Sequence, residues 1–312
     1  MDSTFKACMK KALLLSAALL APSALFSQSS IGYAFLRTPV GARPSAMAGS
    51  FVALTGDAHS IYYNPAGVAG IDSRTATFGY LNHVLDIQSL FGAYVLPRSK
   101  GTLGFAVQYT SYGEFKRMNE FGQEDGTFGA SNMVAYLSYS QRRGKNFMLG
   151  ANVKYIRSEL EVFSSDAVAV DLGFIYQSPF FGNLDFGGGI FNAGGVINAF
   201  DVTKEELPLN LQIGASKRLQ HLPLRYSLSL IKYLDDNFVL RAGGELNLAT
   251  GLFLRLGYDS IGSDQKVGTD SDRFAGLSLG LGLEHQRYKI DYGISSFGEV
   301  GSLNRFSVGM KF

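Results

Sequence analysis

The chain has 312 residues, with 28 lysines and arginines against 26 aspartates and glutamates, and a single cysteine. So even a balance offers no basic surface to nucleic acid, and a lone thiol builds neither a disulfide framework nor a cysteine-ligated metal site. Thirty-seven glycines and forty phenylalanines and tyrosines point to many short strands rather than to helices.

Residues 1–27 read as a signal peptide. Lys6, Lys10 and Lys11 give the positive start and Ala12–Ala21 the apolar run. Pro22 and then Leu25-Phe26-Ser27 give the cleavage region. Ten apolar residues are too few to cross a bilayer. The start is either Met1 or Met9, and Cys8 precedes the apolar run, where it does not suit lipid attachment. Without this segment the charges balance at twenty-five of each sign and no cysteine remains. The pattern predicts an exported chain.

Residues 28–74 show no strand periodicity. Ser45–Leu54 is small and apolar enough for a short helix. Asn64-Pro65-Ala66-Gly67 reads as another helix start, with Asn64 capping and Pro65 at the first helical position. The segment is too short for a core of its own. We expect it to fold back into a larger structure as a plug (hatch), a flexible leader being the alternative.

From residue 75 to 312 one pattern recurs: about ten residues alternating apolar with polar or glycine, then a turn. In the last repeat Phe306, Val308, Met310 and Phe312 share one face, and Arg305, Ser307, Gly309 and Lys311 the other. The alternation predicts strands at 75–82, 86–95, 102–115, 128–142, 146–158, 164–178 and 183–193. Seven more follow at 208–219, 223–234, 237–248, 252–261, 272–285, 287–298 and 303–312. The total of fourteen is even, as single-chain outer-membrane barrels require. Connections after even strands are short, whereas 116–127, 194–207 and 262–271 after odd strands are long, the expected asymmetry between periplasmic turns and outer loops. No later segment reaches eighteen consecutive apolar residues. A membrane protein of this kind is then a closed all-β barrel, because lipid cannot satisfy an open sheet edge.

The run Gly41-Ala42-Arg43-Pro44-Ser45-Ala46-Met47-Ala48-Gly49-Ser50-Phe51-Val52-Ala53, continuing through Gly56-Asp57-Ala58 to Ile61-Tyr62-Tyr63-Asn64-Pro65-Ala66-Gly67, resembles the N-terminal signature of the PorV/PorQ family. It is similar, more distantly, to the FadL long-chain fatty-acid transporters. The resemblance implies a fourteen-stranded transmembrane antiparallel barrel whose N-terminal hatch, with Gly49, Asp57, Asn64, Pro65, Ala66 and Gly67, occludes the lumen. For PorV/PorQ proteins it implies a role in type IX protein secretion, with secretion-system proteins or cargo as partners. For FadL-like proteins it implies passage of a hydrophobic small molecule. The terminal Phe312 resembles the signal read by barrel-assembly machinery, and the surrounding phase would be outer-membrane lipid.

Catalytic and metal motifs lack their context. Gly276-Leu277-Ser278-Leu279-Gly280 matches a nucleophile elbow, but it lies inside an alternating strand with no helix after it. The four histidines, His59, His83, His221 and His285, have no metal-ligand spacing and read as loop or strand-end residues. Arg241, Glu245, Arg255, Asp259, Glu284, Lys289, Asp291, Arg305 and Lys311 fall on the inner face, where pairing across the lumen or with the hatch is expected. Glycines 276, 280 and 282 would let another backbone approach closely. Phe115, Met118, Phe121 and Phe128, in or beside the loop 116–127, are candidate outer-loop contacts for a partner or ligand. The expectation is a barrel without catalytic residues, metal or cofactor. It would serve secretion or surface attachment through protein partners, or carry hydrophobic molecules.

Overall fold

The computed structural model describes residues 33–83, 87–180, 182, 184–201, 204–234, 236–265 and 270–312. The signal-peptide reading of 1–27 lies outside these residues. All fourteen strands are present: β1 Thr75–Asn82, β2 Gln88–Arg98, β3 Gly101–Met118, β4 Glu124–Arg143, β5 Phe147–Leu160, β6 Phe163–Ser178 and β7 Leu184–Asn198. The second half comprises β8 Asn210–Arg218, β9 Leu224–Tyr233, β10 Phe238–Ala249, β11 Leu252–Asp259, β12 Leu277–His285, β13 Tyr288–Ser296 and β14 Ser302–Lys311. Each strand pairs antiparallel with its neighbours, and β1 pairs with β14 from Thr75 opposite Lys311 to Asn82 opposite Asn304. The barrel is closed, so no strand edge is left over.

The period of two becomes the two faces of the wall. On β12, Leu277, Leu279, Leu281 and Leu283 are exposed on the outside, while Ser278, Gly280 and Gly282 face in and are buried. Phe306 stands out and Arg305 and Ser307 are buried on β14. A continuous outer face of leucine, phenylalanine and tyrosine is unsuited to water at this extent and suited to lipid.

Two connections differ from expectation. The loop 116–127 is a tall hairpin: β3 and β4 run on, and only 119–123 turn. Asn119 Oδ1 accepts from the N–H of Phe121 and of Gln123 at 3.0 and 2.9 Å, and Gly122 takes φ 72°, a tight turn that lets the ladder continue. Of residues 272–276, expected to begin β12, 272–274 belong to a 3-10 turn at Asp270–Phe274, after which Gly276 at φ 85° redirects the chain.

Residues 33–71 lie inside the barrel. They form a 3-10 turn at Ala34–Arg37, α1 at Ala42–Ala46, α2 at Ser60–Tyr63 and a 3-10 helix at Pro65–Gly70. The helix expected at Ser45–Leu54 is thus earlier and shorter. It stops because Ala48 and Gly49 turn left-handed (φ 53° and 73°), with Gly49 N–H donating to Pro44 O at 2.8 Å. One end of the segment meets the long-connection side, where Tyr33 Oη bonds Ser165 Oγ at 2.6 Å. The other leaves at the short-turn side into β1, where Arg74 O accepts from Phe312 N at 2.8 Å.

Burial of Met47, Phe51, Val52, Leu54, Ile61 and Val68, all 2 % exposed or less, holds the segment in place. Each such side chain contributes about 1.5–3 kcal/mol. The wall meets it with residues that lack side chains. A Cβ on Gly150 would lie 2.3 Å from the Pro65–Ala66 peptide, one on Gly187 2.2 Å from Val52 O, and one on Gly257 2.3 Å from Ala48 N. Of the three glycines expected to admit another backbone, Gly280 faces the Ala46 side chain, with its Cβ 2.4 Å from where one on Gly280 would stand, and a Cβ on Gly276 would meet the Asp259 carbonyl at 2.3 Å. Gly276 serves the turn, and Gly282 makes room for Arg255 and Asp291.

Gly150→Val should therefore drive the segment out while the outer wall still forms. Heat-modifiable gel mobility is expected to persist, and trypsin is expected to gain access to Arg43. A variant as protease-resistant as the wild type would show that the close approach is not required.

Candidate functional site

The candidate site is the filled lumen, built around the hatch residues singled out in the sequence. Asn64 is fully buried and uses its whole amide. Nδ2 donates to Val52 O at 2.6 Å and to Phe174 O of β6 at 3.0 Å, while Oδ1 accepts from Ala66 N at 3.1 Å. It caps the 3-10 helix with Pro65 at its first position, as expected of the motif, and also joins the segment to the wall. Ala66 packs with Ala69, Met148 and Ile175. Gly67 is confined, since a Cβ there would meet Leu54 O at 2.5 Å and Ser60 Oγ at 2.7 Å. Gly49 sits beneath Arg241, whose Nη1 is 3.0 Å from where its Cβ would stand.

Asp57 enters an ionic network at the short-turn end. Its Oδ2 receives Arg43 Nη1 at 2.8 Å and Lys289 Nζ at 3.3 Å, and its Oδ1 meets His59 Nδ1 at 2.7 Å. Arg43 continues to Glu245, with Nε–Oε2 at 2.7 Å and Nη2–Oε1 at 2.8 Å. Glu245 Oε2 also takes Arg255 Nε at 2.7 Å, and Arg255 Nη1 reaches Asp291 Oδ1 at 2.7 Å. The chain of charges thus runs from the N-terminal segment through β10 and β11 to β13. Arg241 pairs with Asp259 at 2.8 Å and Lys311 with Glu284 at 2.8 Å. Burial would raise the Asp57 carboxyl, but Lys289, His59 and Arg43 outweigh it and hold the group well below the usual carboxylate range.

Arg43 and His59 are central here and were not identified from sequence as site residues. Arg43 stands alone in a small-residue run, the one available signal. His59, expected at a loop or strand end, is buried and stacks on Phe91 with ring centroids 5.5 Å apart. Lys154 and Asp171, a buried pair at 2.8 Å between β5 and β6, were also missed, because each looks like an ordinary polar position in its strand. Ser278 of the elbow-like motif lies within β12 and donates to Ser295 Oγ at 3.0 Å.

The other candidates are apart from this centre. Phe115 and Phe128 are directly paired across β3 and β4 and stack at 5.4 Å, and Met118 and Phe121 are exposed nearer the hairpin tip. Phe312 is exposed beside the seam. On the long-connection side of the segment lies a cavity of about 40 Å³ lined in part by Pro39, Ala48, Ile261 and Phe297.

The fold matches that of several solved structures. A Pseudomonas aeruginosa FadL homologue aligns at TM-score 0.56 and 12% identity over 88% of this chain and 99% of that one. The P. putida toluene transporter TodX aligns at 0.57 and 12% over 87% and 98%. The CymD monoaromatic hydrocarbon channel aligns at 0.58 and 11% over 88% and 97%. Identities this low show a shared fold. No family model matches the chain, and no match among curated proteins was found, so the PorV/PorQ resemblance gains no family match.

Two outcomes follow from the network. Glu245→Gln leaves Arg43 and Arg255 buried without their shared carboxylate and should destabilise by about 3–5 kcal/mol, read from the unfolding midpoint in detergent. Because the Asp57 carboxyl is depressed, its contribution is complete above the ordinary carboxylate value of about 4. It is lost as pH falls below that value through the depressed one. Asp57→Asn should be less stable than wild type at pH 6 and should lose less on acidification to pH 3. Parallel pH curves for the two proteins would contradict this.

Proposed function

We propose that the chain is a non-catalytic outer-membrane channel of FadL type, admitting small hydrophobic molecules, with residues 33–71 acting as its hatch. The observation that carries this reading is a closed barrel whose lumen is filled by its own N-terminal segment from the long-connection end to the short-turn end. A filled lumen does not behave as an open pore, so passage requires the hatch to shift. The ionic network and Asn64 are the attachments that such a shift would exchange. Support also comes from the fold shared with a toluene transporter and a monoaromatic hydrocarbon channel.

The lipid-facing belt supports insertion in the outer membrane, to which residues 1–27 would direct the chain and Phe312 its assembly. The secretion role implied by residues 41–67 has no counterpart among the three structures named above, which are a FadL homologue, a toluene transporter and a hydrocarbon channel, and the channel reading is preferred.

Proteoliposomes provide the test. The reconstituted protein should take up labelled toluene or a long-chain fatty acid saturably and faster than empty vesicles, and should exclude glucose. No uptake above empty vesicles, together with a protein that co-purifies and is lost when 116–127 is replaced, would overturn the reading in favour of a secretion partner.

A further inference from the structure

Arg305 is the exception among the inward-facing charges. It lies on β14, 2 % exposed. No carboxylate of a described residue comes within the 4 Å of an ion pair, whereas the other eight charges named from the sequence all have partners. Its Nε donates to Pro39 O at 3.3 Å and its Nη1 to Ser295 Oγ at 3.0 Å. A guanidinium carries five N–H donors, so most remain without a protein acceptor.

The cavity of about 40 Å³ on the long-connection side of the hatch adjoins this residue, together with Ser45, Ser278, Ser295 and Asp259. Asp259 does not supply the missing charge. Its Oδ2 is held by Arg241 at 2.8 Å and its Oδ1 by the Ile261 N–H at 3.0 Å. Ser295 Oγ already accepts from Arg305 and from Ser278, which leaves its own proton free to turn elsewhere. A space of about 40 Å³ is large enough for one water or one small ion. Water satisfies donors but does not neutralise a buried cation, and an uncompensated one is strongly unfavourable.

We propose that this cavity binds one small monovalent anion of the halide class, held by the Arg305 guanidinium and the Ser295 hydroxyl. A single negative charge suffices, because the nearby Arg241 and Asp259 cancel each other. The ion sits where Arg305 grips the Pro39 carbonyl, so its occupancy fastens the start of the hatch to β13 and β14.

The test uses the full barrel in mild detergent, exchanged into sodium gluconate and titrated with sodium chloride or bromide at constant ionic strength. The unfolding midpoint should rise and saturate with either halide, the rise should be weaker in Arg305→Lys, and it should vanish in Arg305→Met. Equal midpoints in chloride and gluconate, or an undiminished halide response in Arg305→Met, would overturn the proposal. Should the variants fail to fold, crystals of the wild type grown in bromide decide it. An anomalous peak within hydrogen-bonding distance of the Arg305 guanidinium is expected, and its absence there counts against the site.

Discussion

Closure governs this structure. Once β1 pairs with β14, the strand number fixes the width of the barrel, and a fourteen-stranded wall is too wide for its own inward side chains to fill. The N-terminal segment meets that requirement. It brings buried side chains such as Phe51, Leu54 and Ile61 into the lumen, and the wall answers with glycine where backbone meets backbone, as at Gly150 and Gly257. The inner surface is therefore shaped to the segment at specific positions, while the outer surface need only be apolar. That difference explains why the outward leucines of β12 look interchangeable and the inward glycines do not.

The interior polar groups follow from the same constraint. A wall facing lipid on one side must turn its charges inward, where water is scarce and each charge needs a partner. Glu245 illustrates the solution, placed between Arg255 from the adjacent strand and Arg43 from the hatch. A shifted seating of the segment would strand several of these charges together. Any other seating of the segment would have to trade this set of partners for another.

The strands were legible because lipid imposes its rule at every second residue, so even short repeats such as Leu277–Leu283 carry an unbroken signal. The capped turn at Asn64-Pro65 was legible, because capping chemistry is local. Other features were not. The helix in 42–54 ends where Ala48 turns left-handed, which nothing in its composition demands. The hairpin at 119–123 looked like a long loop because its extra strand residues stand beyond the belt and lose the apolar alternation. The importance of Arg43 and His59 depends on what lies across the lumen, which spacing along the chain does not encode.

The seam has a consequence for how the molecule forms. Thr75 and Lys311 lie 236 residues apart along the chain, and pairings of such sequence separation form slowly. The other thirteen hairpin pairings are local by comparison and can accumulate as an open, curled sheet. The hatch is continuous with β1, one lip of that opening, so it is carried to the gap by the strand that must close it. A barrel sealed without its hatch would have to admit it afterwards through one end, against the tightly fitted glycine positions. The seam is thus the pairing that completes the wall around the segment.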